Sequence, residues 1–216
     1  MRSSQSDRVG GGTARRVVIV FARLPQLGRV KSRLAAALGE AAALAIYREL
    51  LDDTLARVAG CASVERWLCV TGEDPEGQGE VLARSHGYRL TRQIDGDLGA
   101  RMAASLREAL AGGSRALLLG CDCPGIDARV LEQAFEVLAR HDLVFVPTED
   151  GGYALVGARV DAPAVFQTIA WGGSSVMAQT RARLAMLGLS WRELPTLWDV
   201  DEPQDWARVL DARRAS

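Results

Sequence analysis

"RALLLGCDCPGIDARVLEQAFEVLARHDLVFVP", Arg115 to Pro147, reads as a strand, a tight turn, a helix and a second strand. The run from Ala116 to Leu119 is short and apolar, as a buried strand requires. Pro124 stops it and Gly125 lets the chain turn away. Asp127 stands where a helix cap belongs, and Leu131, Ala134, Phe135 and Leu138 then recur at helical spacing. "DLVFVP" supplies the next strand. A strand, a crossover helix and a strand form the unit from which parallel sheets covered on both faces are built.

The same alternation extends in both directions. Upstream lie the strand "RVVIVFAR", a helix within "GEAAALAIYRELLDDTLARVAG" with Leu44, Tyr47, Leu51, Leu55 and Val58 on one face, and the strand "ERWLCVT". A short helix "EVLARSHG", a strand "YRLTRQ" and a helix "LGARMAASLREALAGG" follow. Downstream come the strand "YALVGAR", a helix from "SSVMAQ" onward capped by Ser174 or Ser175, the strand "WRELP" and a terminal helix "EPQDWARVLDARR". The expected architecture is three layers, α/β/α, around a mostly parallel sheet of about seven strands. Residues 1–15 are small, polar and aperiodic and read as a disordered tail, with one domain over 16–216.

Composition narrows the function. With 26 basic against 27 acidic residues the chain has no global field for nucleic acid or an anionic membrane, so any phosphate recognition must be local. No segment resembles a signal peptide or a spanning helix, and the expected compartment is the cytoplasm. Cys61, Cys69, Cys121 and Cys123 fit no four-ligand zinc spacing and should stay reduced there.

In open α/β sheets ligands bind beyond the carboxyl ends of the strands, and the unusual loops of this chain all follow strands. "FARLPQLGRVKSRL" places Arg23, Arg29, Lys31 and Arg33 around Gly28 ahead of a helix, the composition of a phosphate cradle, although it lacks the Walker and Rossmann patterns. A solvated basic loop is the bland alternative. "QIDGDLGARM" carries Gly96 and Gly99, whose backbone could approach a base or sugar, while Asp97 serves equally well as a helix cap. Asp122 in "GCDCPG" is delivered to the sheet edge, but one carboxylate holds Mg²⁺ poorly. Asp199 and Asp201 in "DVD" point the same way in extended chain and could converge on one ion with it, though Asp201 also suits an N-cap before Pro203. "TEDGGY" offers Glu149, Asp150, Gly151 and Gly152, and Trp171 in "IAWGGSS" could wall a pocket.

These loops, in this order and across nearly the whole chain, resemble the small GT-A-fold proteins described as nucleotide-diphospho-sugar transferases. That group is similar in turn to the 2-phospholactate guanylyltransferases. The resemblance implies that Gly28 to Arg33 wraps nucleotide phosphates, with Lys31 and Arg33 carrying the charge, and that Asp122, Asp199 and Asp201 are associated with Mg²⁺ or Mn²⁺. It further implies an acceptor side at Glu149 to Gly152, where Glu149 or Asp150 could act as base, so the expected catalytic set is Lys31, Asp122, Glu149 and Asp150. Three functions fit: glycosyl transfer from a nucleoside-diphosphate sugar to a small-molecule acceptor, nucleotidyl transfer from an NTP, and nucleotide binding without turnover. The scarcity of cations around "EDGGY" favours the first.

Overall fold

The computed structural model describes residues 14–214, so most of the tail read over 1–15 lies outside the described residues. Seven strands form one sheet: β1 (Arg16–Arg23), β2 (Glu65–Thr71), β3 (Arg89–Arg92), β4 (Arg115–Leu119), β5 (Leu143–Pro147), β6 (Tyr153–Ala158) and β7 (Trp191–Glu193). Seven helices accompany them: α1 (Ser32–Leu38), α2 (Glu40–Ala59), α3 (Gln78–His86), α4 (Leu98–Leu110), α5 (Ala128–Val137), α6 (Val176–Leu187) and α7 (Pro203–Arg214). A short 3₁₀ turn, Pro163–Phe166, was not legible as a separate element. The spatial order is β3-β2-β1-β4-β6-β5-β7. All pairings are parallel except those of β6, which runs antiparallel between β4 and β5.

Side chains alternate across the sheet. Val18 and Val20 of β1, Leu117 and Leu119 of β4, and Val144 and Val146 of β5 face one cluster with Tyr47, Leu51 and Phe135 of α2 and α5. Val17, Ile19, Leu118, Phe145 and Val156 face the other, with Met102 and Leu106 of α4 and Met177 and Leu184 of α6. Runs such as "VVIV" are apolar throughout because both faces are covered. A third cluster of Leu34, Ala43, Ile46, Leu50, Val200 and Val209 joins α1, α2 and α7. Hence α2 buries Ala43, Ile46 and Leu50 as well as the stripe read from the sequence, since it packs on the sheet with one side and on α1 and α7 with the other.

The cap readings hold at Asp97 and Asp127, whose carboxylates accept from the Ala100 and Val130 amides. Two others are corrected. Ser175 precedes α6 but makes no side-chain cap, its hydroxyl accepting from Gln179 instead. Asp201 does not cap α7; Asp205 reaches back to accept from the Asp201 and Glu202 amides, which frees the Asp201 carboxylate for other partners.

Gly157 shows why β6 fits between its neighbours. It pairs with Leu117 and Val144, and a Cβ there would come within 2.5 Å of Leu117 and 2.6 Å of Val144. Gly157→Ala should overpack this seam and cost about 1–3 kcal/mol, read as a lower urea midpoint with an unchanged slope. At the sheet edge Asp142 ties β7 on, accepting from the Ser190 hydroxyl at 2.6 Å and amide at 3.0 Å and pairing with Arg159 at 3.0 Å. The Ser190 hydrogen bonds, then Arg159, hold the Asp142 carboxyl below its usual pKa. That stabilisation is present above the unfolded-state pKa and is lost as pH falls through the lower folded value. Asp142→Asn should therefore weaken the fold at neutral pH by an amount that shrinks in strong acid; an equal deficit at both would contradict this origin.

Candidate functional site

The loop after β1 folds on itself, the Arg23 guanidinium donating to the Arg29 carbonyl at 3.1 Å. Tyr47 clamps its start, accepting from the Arg23 amide at 2.9 Å and donating to the Arg23 carbonyl at 2.7 Å. At its end Lys31 takes a left-handed conformation, φ 49°, that a non-glycine residue adopts only when its surroundings impose it. What imposes it is the ammonium: Nζ lies 2.8 Å from Asp122 Oδ1 and 3.3 Å from Asp201 Oδ1, and donates to the Val200 carbonyl at 2.5 Å. The Lys31 side chain is only 5 % exposed. Burial disfavours its charge, but Asp122 and then Asp201 outweigh burial and leave its pKa raised, so it is a fixed cation at neutral pH.

The carboxylates come from distant segments. Asp122 follows β4, and its carbonyl accepts from the Val200 amide at 2.8 Å, laying the segment 199–201 along the strand end. Asp201 also pairs with Arg33 at 3.4 Å. Asp199 is half-buried, and burial, then its neighbours Asp150 and Asp201, push its carboxyl up to about 6. Asp150 sits in the β5–β6 turn, where Oδ1 accepts from the Thr148 hydroxyl and, at 3.0 Å, from the Gly152 amide.

Lys31, Arg33, Asp122, Asp150, Asp199 and Asp201 line one cleft of about 630 Å³, together with Gly152 and Trp171. Other residues singled out in the sequence stand outside its lining. Arg23 and Arg29 are exposed in the loop itself, and Gly28, φ 70°, makes room for the Glu40 carboxylate. Gly96 packs on Ala100. Gly99 lies under Trp171 and the Phe166 carbonyl. Glu149 is 62 % exposed and pairs with Arg208 at 3.7 Å. Gly151 serves the junction of two loops: its carbonyl accepts from the Met177 amide at 2.8 Å, and a Cβ there would meet the Ser174 carbonyl oxygen at 2.0 Å. Phe21, Leu98, Met102, Thr148 and Tyr153 also line the cleft and escaped the sequence reading. Only Phe21, in a strand-end position, and Tyr153, after the glycine pair, carried a local signal.

The four cysteines are free and buried. Burial raises the Cys121 thiol far above its ordinary pKa and pushes Cys123 up to about 11, so neither is a thiolate at neutral pH. Cys121 donates weakly to Asp122 at 3.7 Å.

Among the described residues no group of three or more His, Cys, Asp or Glu side chains is arranged to hold a metal ion unaided. Lys31 stands between Asp122 and Asp201, where such a cage would close. Yet the cleft lining carries four carboxylates against two cations, a balance that repels a diphosphate unless further positive charge arrives with it. The donor set suits a hard divalent ion completed by phosphate oxygens and water, which takes one or two protein carboxylates.

A family model described as "Uncharacterized protein conserved in bacteria (DUF2064)" matches residues 54–173. No curated protein matches the sequence. Among solved structures, a protein from Desulfovibrio desulfuricans G20, provisionally described as a nucleotide-diphospho-sugar transferase, is 29% identical with a TM-score of 0.80, covering 88% of this chain and 83% of that one. CMP:2-keto-3-deoxy-manno-octonic acid synthetase, solved with CTP, is 14% identical with a TM-score of 0.60 over 93% of this chain and 100% of that one. The 4-diphosphocytidyl-2C-methyl-D-erythritol synthase of Anaerococcus prevotii DSM 20548 is 10% identical with a TM-score of 0.63 over 93% and 96%. The expected fold, a seven-stranded and mostly parallel sheet with helices on both sides, is therefore present and is that of the nucleotide-diphospho-sugar transferases.

Gly151→Ala would force a left-handed alanine, φ 89°, against the Ser174 carbonyl. We expect a loss of about 1–3 kcal/mol, with faster hydrogen exchange at the Met177 amide marking the opened loop junction.

Proposed function

This chain belongs to the bacterial family DUF2064, and from its site we propose that it is a metal-dependent transferase that draws on a nucleotide-activated donor, with glycosyl transfer from a nucleoside-diphosphate sugar as its reaction. The observation that carries the reading is Lys31, a buried and permanently charged ammonium held at the sheet edge between two carboxylates from distant segments. Its strained backbone and the open cleft beside it are what favour a ligand-binding role over a purely structural ion pair.

In this reading Arg33 meets the diphosphate directly. Lys31, whose three donors face Asp122, Asp201 and the Val200 carbonyl, adds a fixed positive charge beside it that favours the charge growing on the leaving group, an effect present before the reaction and therefore free of reorganisation cost. One or two of Asp122, Asp199 and Asp201, with phosphate oxygens and water completing the shell, would hold Mg²⁺ or Mn²⁺, which would supply Lewis-acid neutralisation of the same leaving group. Asp150, kept in place by Thr148 and Gly152, faces the cleft and is the base for an acceptor hydroxyl; Glu149, turned out toward Arg208, is not. Trp171 walls the acceptor side. Among the described residues no helix is long and apolar enough to cross a membrane.

Nucleotidyl transfer is the second reading, favoured by the fold shared with the CTP-bound synthetase. The products separate the two. Incubation with NTPs, nucleoside-diphosphate sugars and a panel of acceptors in Mn²⁺, followed by phosphorus NMR, should show release of nucleoside diphosphate from one sugar donor. Pyrophosphate release from an NTP would replace this reading with the second, and saturable binding without either product would leave only a nucleotide-binding protein. Lys31→Ala should lower turnover by about 10²-fold or more and abolish the thermal shift produced by nucleoside diphosphate. Asp122→Asn should remove the metal dependence of that shift, and an unchanged shift would refute the metal assignment.

A further inference from the structure

The cleft has two halves of opposite character. Beyond the charged rim it runs under the carboxyl ends of β1 and β4 and the amino end of the antiparallel β6, and between α4 and α6. There Phe21, Leu98, Met102, Tyr153 and Trp171 line it and pack on the same apolar cluster. Among the described residues no Lys, Arg or His lines the cleft apart from Lys31 and Arg33, which belong to the rim. Of the four carboxylates that line the cleft, the nearest in sequence to this apolar half is Asp150, at the start of the Gly151-Gly152-Tyr153 turn.

Two polar hydrogens in the apolar half lack a nitrogen or oxygen partner. The indole Nε1 of Trp171 is buried and unpaired among the described residues. The Tyr153 hydroxyl has only a 4.0 Å approach to Met102 Sδ, and burial holds its pKa far above the usual value, so it remains a donor. An unmet buried donor costs about 1–3 kcal/mol. The indole Nε1 lies against Gly99 with no accessible surface, so the Tyr153 hydroxyl is the donor of this half left for a ligand oxygen. Gly99 is what lets the indole lie there, since a Cβ would stand 2.9 Å from Trp171 Cζ2.

We infer that this half receives the acceptor, and that the acceptor is an uncharged hydroxyl compound with an apolar ring rather than a phosphorylated or carboxylated one. The inference rests on the glycosyl-transfer reading of the same site. A ring would bury its faces against Phe21, Met102 and Trp171 with an oxygen toward the Tyr153 hydroxyl, leaving the hydroxyl toward Asp150. A phosphate or carboxylate placed there would be desolvated beside Asp150, with no Lys, Arg or His of this half to meet it. In the transfer step the acceptor oxygen forms its bond to the anomeric carbon as the bond from that carbon to the diphosphate oxygen breaks. The bonding pair leaves with the nucleoside diphosphate, and the hydroxyl proton passes to Asp150.

The test uses the full chain with methyl-labelled methionine in Mg²⁺, where Met102→Leu assigns one of the four methionine signals. Benzyl alcohol and cyclohexanol are titrated against phosphoglycolate, each with and without nucleoside diphosphate. We expect the two alcohols to shift the Met102 methyl saturably in the presence of the nucleotide, with a Kd at least about tenfold below that of phosphoglycolate. A Met102 shift driven by phosphoglycolate, displacement of the alcohols by the nucleotide, or no response to the alcohols would each overturn the inference. The thermal shift with nucleoside diphosphate, measured on the same samples and on Lys31→Ala, reports separately on the donor reading. If that shift is present while the alcohols fail, only the acceptor class is wrong; if it is absent as well, both readings fall.

Discussion

The buried ammonium of Lys31 is the contact on which the site depends. It draws together the loop after β1, the end of β4 and the extended segment before α7, three pieces of chain that share no local structure. A lysine buried to this degree is stable only if its charge is matched, and Asp122, Asp201 and the Val200 carbonyl supply the match. The left-handed backbone of Lys31 is the cost of aiming the side chain inward, about 1–3 kcal/mol of strain. Removing either carboxylate would leave part of that charge uncompensated, so the pieces hold one another in place.

The sheet provides the rigid frame for this arrangement. β1 and β4, buried through Val17 to Val20 and Ala116 to Leu119, are neighbours in parallel register, so the loops that leave them emerge side by side at one edge. The antiparallel β6 then turns the other way and brings Asp150 and Tyr153 back to the same edge from the β5–β6 turn. A strictly parallel sheet would have sent that turn to a different neighbour. The single reversed strand is thus what sets the Thr148 to Gly152 loop opposite the Lys31 loop across one cleft.

Much of this was legible beforehand, and each success has a physical cause. Buried strands between two helix layers must be apolar throughout, so "VVIV" and "LVFV" announced themselves. Asp97 and Asp127 sat where orphan amides need an acceptor, and the structure uses both. The opening cysteines proved to be small buried residues flanking a carboxylate, inert because burial keeps them protonated. The failures were equally physical. Asp201 resembled a cap by spacing alone, but a buried cation outbid the helix terminus for its carboxylate while Asp205 took over the amides. Glu149 and Asp150 were equivalent in the sequence, and only packing turned one to solvent and the other into the cleft.

By itself the sequence determined the layers, the order of the elements and the edge at which the unusual loops gather, because hydrophobic periodicity and turn residues act over a few positions at a time. Tertiary structure alone decided which side chains meet. The pairing of Lys31 with Asp122 and Asp201, the outward turn of Glu149 and the apolar half of the cleft beneath Trp171 depend on strand order and on contacts between segments as many as 170 residues apart, which no local pattern encodes.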